Sequence, residues 1–193
     1  TLAVCQWSGC IQGIRKIMET KNYFEHFGLQ PAYFLDTALL RKRYYERSRQ
    51  LHPDLAEGSG QSEEKVQELS ATNNQAYKTL LDNGLRLKYL LDLMGGSVDT
   101  EYHPGPEFLM EMMDLNEEVE EAVAASDEQG IAMLTQRTEK LAAEEEETAR
   151  PFLERFDSGQ RDDSVLEALK KYYARLKYYR RLRDHLQRRE PEL

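Results

Sequence analysis

The feature that most constrains this chain is the tetrapeptide Leu51-His52-Pro53-Asp54, which ends a strongly basic segment and opens a polar loop. Because a proline ring disfavours the α conformation at the preceding residue, a helix over the basic segment must stop near His52. Asp54 can then hydrogen-bond its own backbone in a turn. The tetrapeptide predicts a rigid corner that displays His52, although these residues alone also fit an ordinary helix stop followed by a loop.

Composition and charge narrow the classes of function. The chain has 193 residues, of which 40% are hydrophobic and 32% charged, so it has room for one domain or two small ones. Its net charge of −9 argues against nucleic acid as the main partner. No run approaches the ~20 apolar residues of a membrane span. We therefore expect neither nucleic acid nor a membrane among the partners.

The hydrophobic spacing predicts helices throughout the chain and no strand. A short helical turn over 22–29 precedes a helix over about 37–51, for which Asp36 is the predicted N-cap. After the polar loop, a helix over about 62–81 has apolar residues at helical spacing and can pair with the basic helix as a helical hairpin. A short apolar helix over 85–94 follows.

Residues 95–106, rich in glycine and proline, mark a change in composition that predicts a linker. Three long helical patterns follow, over about 107–125, 128–156 and 163–189. Because their connections are short, they predict an antiparallel bundle. The predicted fold is all-α, with a disordered N-terminal extension over 1–21, a helical-hairpin domain over 22–94, a linker over 95–106 and a three-helix domain over 107–189.

The N-terminal extension carries the two cysteines, Cys5 and Cys10. Their four-residue gap matches neither a two-residue-gap redox pair nor half of a recognisable zinc site, so we predict no metal and no cofactor. Met18 looks like a natural start, and no transit-peptide pattern precedes it. These observations favour the bacterial cytoplasm over the mitochondrial matrix.

The helix over 107–125 has apolar and acidic residues that its core does not need. At ~100° per residue, one side of this helix forms a core stripe of Phe108, Met112, Leu115, Val119, Ala122 and Val123. The opposite side holds Met110, Met113, Glu117 and Glu121, with Leu109 and Asp114 flanking them. Since methionine suits adaptable binding surfaces, this face predicts a binding site. Burial of the helix on two sides, or an unused surface, would give the same pattern.

The last helix has a core stripe of Val165, Leu169, Tyr172, Leu176 and Tyr179. Tyr178 lies off that stripe among basic residues. It could be an interface anchor or a surface tyrosine, and the pattern leaves both open. The chain contains no glycine-rich phosphate loop, no nucleophile elbow and no metal-ligand spacing, so nothing in it indicates an enzyme.

These motifs together resemble the HscB family, the J-domain co-chaperones of iron–sulfur cluster assembly, from Asn22 to about Arg189. The basic helix ending at His52-Pro53-Asp54 and the later segment 71–80, Ala-Thr-Asn-Asn-Gln-Ala-Tyr-Lys-Thr-Leu, are typical of a J-domain. The segments 22–29, 86–91 and 108–111 narrow the resemblance to HscB.

The resemblance implies a two-domain adaptor without enzymatic activity of its own. In the family, the J-domain docks on a DnaK-type chaperone, called HscA in bacteria, and stimulates its ATP hydrolysis. Carried over, the activating corner and its electrostatic contacts are His52, Pro53, Asp54, Arg41, Arg43 and Arg49.

The C-terminal bundle of the family binds an IscU-type iron–sulfur scaffold through an exposed apolar and acidic patch. By motif, that patch is formed by Leu109, Met110, Met113, Asp114, Glu117, Glu121 and Tyr178. Two alternatives stay open: a J-protein that serves another client, and a metal or redox protein that uses Cys5 and Cys10.

Overall fold

The computed structural model describes residues 22–51, 63–94 and 102–187. Throughout those ranges the regular structure is helical, which confirms the all-α prediction, and no helix there is long and apolar enough to cross a membrane. The helices are α1 (Tyr23–His26), α2 (Thr37–Gln50), α3 (Glu63–Leu81), α4 (Asn83–Leu93), α5 (Pro106–Ala124), α6 (Glu128–Asp157) and α7 (Asp163–Gln187). The chain divides into two compact units, Thr1–Asp82 and Asn83–Leu193.

Side-chain caps set the first helices of the first unit. The Asn22 side chain accepts a hydrogen bond from the Glu25 amide, and Gly28, with φ of +64°, ends that turn. Asp36 Oδ1 accepts hydrogen bonds from the amides of Ala38 and Leu39, at 2.9 and 3.0 Å. The predicted N-cap at Asp36 is therefore confirmed.

Helices α2 and α3 pack against each other as an antiparallel hairpin. The Tyr44 ring stacks on the Tyr77 ring with centroids 4.1 Å apart, and the Tyr44 hydroxyl donates to Asn74 Oδ1 at 2.9 Å. On α2 only Leu40 is fully buried, while Tyr44 and Leu51, the residue after the helix, are partly buried. The hairpin is thus held by aromatic stacking as much as by aliphatic burial.

Asn73 links α1, α2 and α3 from inside the first unit. Its side chain is 1% exposed. Its Oδ1 accepts a hydrogen bond from His26 Nε2 at 3.0 Å, and its Nδ2 donates to Ser48 Oγ at 3.0 Å. Because a buried amide is costly without partners, these two bonds explain why a polar residue occupies a core position on α3.

In the second unit, α5, α6 and α7 form the predicted antiparallel three-helix bundle. The stripe predicted for α5 is confirmed, with its first four residues buried and Ala122 and Val123 partly buried. On α7, Leu176 is only partly buried although the sequence placed it in the core stripe. The core shared by these helices consists of Phe108, Met112, Leu115, Val119, Leu134, Tyr179, Leu182 and Leu186.

The division between units differs from the predicted domain boundary. We expected α4 to belong with the hairpin, but the structure groups it with the bundle, where it packs on α7. The physical reason is that α4 buries three leucines completely, Leu87, Leu90 and Leu91, and these need an apolar neighbour. The end of the predicted linker also differs, since Pro106 is the first residue of α5, a position that needs no amide hydrogen.

Replacing Asn73 should destabilise the first unit. An Asn73→Ala variant leaves the buried His26 Nε2 and the Ser48 hydroxyl without their partner, which costs about 2 kcal/mol of unfolding free energy. Urea denaturation of the full chain, with hydrogen exchange of the α3 amides to locate the effect, measures this. Asn74→Ala is the matched control, because it removes only an exposed bond to Tyr44. Equal losses in the two variants would contradict this account of Asn73.

Candidate partner-binding surfaces

The first candidate surface is the exposed, arginine-rich surface of α2. Arg41, Arg43 and Arg49 are all exposed, and Arg43 forms a partly screened ion pair with Glu46 at 3.6 Å. Such an exposed pair contributes little to stability, so the face is free to meet an acidic partner. The corner predicted at His52, Pro53 and Asp54 lies outside the described residues, as do Cys5 and Cys10.

The second candidate surface is a groove of about 550 Å³ between α5 and α7, which we call the α5–α7 groove. Its α5 wall follows one helical stripe, and its α7 wall carries an aromatic ring and a cation. Five of the seven residues predicted to bind the scaffold line it, namely Leu109, Met113, Asp114, Glu117 and Tyr178. The full lining adds Met112, Asn116, Glu120, Arg181 and Leu182.

The two remaining predicted residues lie beside the groove rather than in its lining. Met110 and Glu121 are exposed on the outer face of α5. The side chains of Met110 and Met113 are 67% and 70% exposed. Exposed thioethers of this extent, next to carboxylates, form an adaptable apolar surface that folding does not use.

Tyr178 forms part of the groove wall instead of standing alone on the surface. It is partly buried, and its ring meets the Phe108 ring edge-on with centroids 5.6 Å apart. The guanidinium of Arg181 lies 5.9 Å from the Tyr178 ring centroid. Contacts on both sides hold the ring in one place, as an anchor in a binding site requires.

The residues that the sequence did not indicate follow from the same periodicity. Starting at Leu109, steps of three and four along α5 reach Met113, Asn116 and Glu120, which is one continuous stripe. Arg181 is one turn after Tyr178. The helical spacing of these residues was therefore visible in the sequence. Only the packing of α5 beside α7 shows that this stripe, and not a neighbouring one, lines the groove.

Arg175 on α7 holds α5 in position beside the groove. Its Nη1 donates to both carboxylate oxygens of Glu145 on α6, at 3.0 and 2.9 Å. Its Nε and Nη2 donate to the Pro104 carbonyl at 3.2 Å, and its guanidinium lies 4.8 Å above the Phe108 ring. One side chain thus connects α6, the entry to α5 and the first turn of α5.

A second, acidic groove of about 370 Å³ lies on the other side of α5, between α5 and α6. Glu107, Glu111, Glu144 and Glu145 line it together with the buried phenol of Tyr179. Burial raises the pKa of Tyr179 to about 12, and the carboxylates of Glu145 and Glu111 act in the same direction. The two flanks of α5 therefore differ in chemistry, because this one is acidic and the α5–α7 groove is apolar with mixed charge.

The chemistry of the α5–α7 groove suits contact with a segment of protein. Across the described ranges, no three His, Cys, Asp or Glu side chains come close enough to hold a metal ion. The α5–α7 groove offers methionines, an aromatic anchor and carboxylates, which suit an amphipathic segment of another protein.

Comparison with known proteins gives consistent matches. Residues 104–187 match the HSCB C-terminal oligomerisation domain. The structure is similar to the chaperone HscB from Vibrio cholerae, with a TM-score of 0.64 and 31% identity, over 86% of this chain and 96% of that one. It is also similar to the human co-chaperone protein HscB, with a TM-score of 0.67 and 26% identity, over 87% of this chain and 81% of that one.

A third match extends the likeness in fold alone. The Jac1 co-chaperone from Saccharomyces cerevisiae has a TM-score of 0.67 at 22% identity, over 90% of this chain and 99% of that one.

Removing Arg175 should loosen the bundle. Arg175→Ala leaves the partly buried Glu145 carboxylate and the Pro104 carbonyl without their donor, so we expect a loss of about 2–3 kcal/mol of unfolding free energy. Arg175→Lys keeps the charge but loses the planar set of donors, so its free energy of unfolding should lie between those of the unaltered chain and Arg175→Ala. Urea denaturation followed by far-UV circular dichroism gives the values.

Arg155→Ala is the matched control for Arg175, because its ion pair with Asp162 is well exposed. We expect that control to lose less than about 1 kcal/mol. A loss in Arg175→Ala no larger than in the control would show that Arg175 does not hold α5.

Proposed function

Because this chain belongs to the HscB family of co-chaperones, we propose that it is an adaptor of iron–sulfur cluster assembly. Its second unit binds an IscU-type scaffold protein, and its first unit delivers that scaffold to a DnaK-type chaperone. The corner at His52-Pro53-Asp54 stimulates ATP hydrolysis by the chaperone. The adaptor itself transforms no substrate and needs no cofactor.

The observation that carries the scaffold-binding half is the α5–α7 groove. Met110 and Met113 are 67% and 70% exposed, and the Tyr178 ring is fixed nearby against Phe108, so α5 presents apolar surface beside an aromatic anchor. The carboxylates of Asp114 and Glu117 line the same groove. Apolar anchors beside charged residues are the arrangement of an interface with a protein partner.

The chaperone half rests on the exposed, arginine-rich surface of α2. Three exposed arginines, Arg41, Arg43 and Arg49, recur along one short helix whose C-terminal end leads to the His52 corner. A cationic face of this kind steers an acidic partner and raises the rate of association. The aromatic stacking of Tyr44 on Tyr77 fixes the helix that presents this face.

Truncating the exposed methionines should weaken scaffold binding without unfolding the chain. For the double variant Met110→Ala and Met113→Ala, we expect the dissociation constant for an IscU-type scaffold to rise about 10- to 100-fold, because two apolar anchors are lost. Isothermal titration calorimetry of the full chain with purified scaffold measures it.

Met133→Ala is the matched control for the methionine variant, because Met133 is 72% exposed on α6, outside the groove. We expect its affinity for the scaffold to equal that of the unaltered chain. Normal binding by the double variant would place the scaffold elsewhere or point to another client.

Replacing His52 should abolish stimulation of the chaperone. With His52→Gln, we expect the steady-state ATPase rate of a DnaK-type chaperone to fall to its unstimulated value, while scaffold affinity stays unchanged. The rate is measured with chaperone alone, with chain, with scaffold and with both, where the unaltered chain and scaffold should act synergistically. His103→Gln, an exposed histidine of the second unit, is the control. Undiminished stimulation by His52→Gln would contradict the proposal that the first unit stimulates the chaperone.

A further inference from the structure

We propose that the α5–α7 groove selects a scaffold segment carrying a carboxylate that pairs with Arg181, besides a basic residue that faces the α5 carboxylates. This inference rests on the proposed function, because it specifies the chemistry of the partner at the same site. Arg181 is the residue that determines specificity, and nothing in the sequence pattern singled it out.

Arg181 has no carboxylate partner in the described part of the chain, in contrast to several arginines of the second unit. Arg137, Arg155 and Arg175 each donate to a carboxylate within 3.0 Å. Arg181 instead contacts the face of the Tyr178 ring, at 5.9 Å from the guanidinium carbon to the centroid. Arg181 is exposed and lines the α5–α7 groove, so its hydrogen-bond donors are available to a group that enters the groove.

Carboxylates line the same groove, yet they do not neutralise Arg181. Asp114 and Glu117 lie on the α5 wall, and Glu120 accepts a hydrogen bond from Asn116 at 2.6 Å. Arg181 lies on the α7 wall, and an opening of about 550 Å³ lies between the walls. The groove is therefore dipolar, with negative charge along α5 and positive charge on α7.

Tyr178 makes Arg181 a directed donor rather than a mobile surface cation. The Tyr178 ring is fixed edge-on against Phe108, so the guanidinium that lies over it has a preferred position. A planar guanidinium held in this way can donate two parallel hydrogen bonds to one carboxylate. An Asp or Glu of a segment anchored on Met113 and Tyr178 would supply that carboxylate.

The direction in which a charge reversal at position 181 changes affinity distinguishes this proposal from simple attraction of a basic partner. Arg181→Glu makes the whole groove negative. A partner recognised only through basic and apolar residues would then bind more tightly, because long-range attraction increases. Weaker binding requires a partner carboxylate close to position 181, since only that group is repelled.

The test measures the dissociation constant of the full chain for the IscU-type scaffold. We expect Arg181→Glu to raise it about tenfold, and Arg181→Lys, which keeps the charge but loses the planar pair of donors, to raise it by less than Arg181→Glu does. Arg183→Glu is the matched control, because it makes the same charge change on an exposed residue of α7 outside the groove lining. The control should bind as tightly as the unaltered chain or slightly more tightly.

A charge-reversal scan of the scaffold's surface carboxylates supplies the complementary arm. One Asp→Lys or Glu→Lys variant of the scaffold should regain about tenfold affinity specifically for Arg181→Glu. Equal or tighter binding by Arg181→Glu overturns the inference, and so does a scan in which no variant restores affinity. If Arg181→Glu fails in this way while the Met110 and Met113 variant still weakens binding, only the inference falls. If neither variant changes binding, the proposed scaffold site falls as well.

Discussion

The Arg175 side chain is the interaction on which the second unit's surfaces depend. It donates to a carboxylate on α6 and to the Pro104 carbonyl just before α5, and it covers the Phe108 ring. Because a guanidinium has a fixed planar set of donors, it can satisfy these groups together only when the three helices hold one arrangement. That arrangement places α5 so that one flank faces α7 and the other faces α6. The two grooves are the spaces left along those flanks.

Helix α5 therefore has three sides with different surroundings. Its inner stripe, including Leu115 and Val119, fills the core, and its α6 flank is acidic beside the buried Tyr179. Its α7 flank and outer face keep methionines in water. Folding needs apolar residues only on the inner stripe, so the exposed thioethers of α5 are available for contact with another protein.

Periodicity predicts the sides of a helix but not the neighbour that each side meets. The core stripe of α5 and the cap at Asp36 follow from local rules, and the structure confirms both. The pairing of the α5 flank with Arg181 depends on how two helices pack, which no single segment encodes. For the same reason Tyr178 could not be distinguished from a surface tyrosine, and Leu176 was placed too deep. That α4 belongs with the bundle could not be predicted either, because it depends on which distant helix covers its leucines.

The position of the boundary between the two compact units determines where one unit can be exchanged without disturbing the other. The boundary between the compact units lies between Asp82 and Asn83, so α4 belongs with the three-helix bundle although it follows the hairpin directly in sequence. A gene fusion that exchanged the hairpin at this point would keep α4 packed on α7. A fusion made after Leu93 would strip α7 of an apolar cover and expose that surface to water. In evolution or in chimera design, the transferable hairpin unit is therefore shorter than the run of helices suggests.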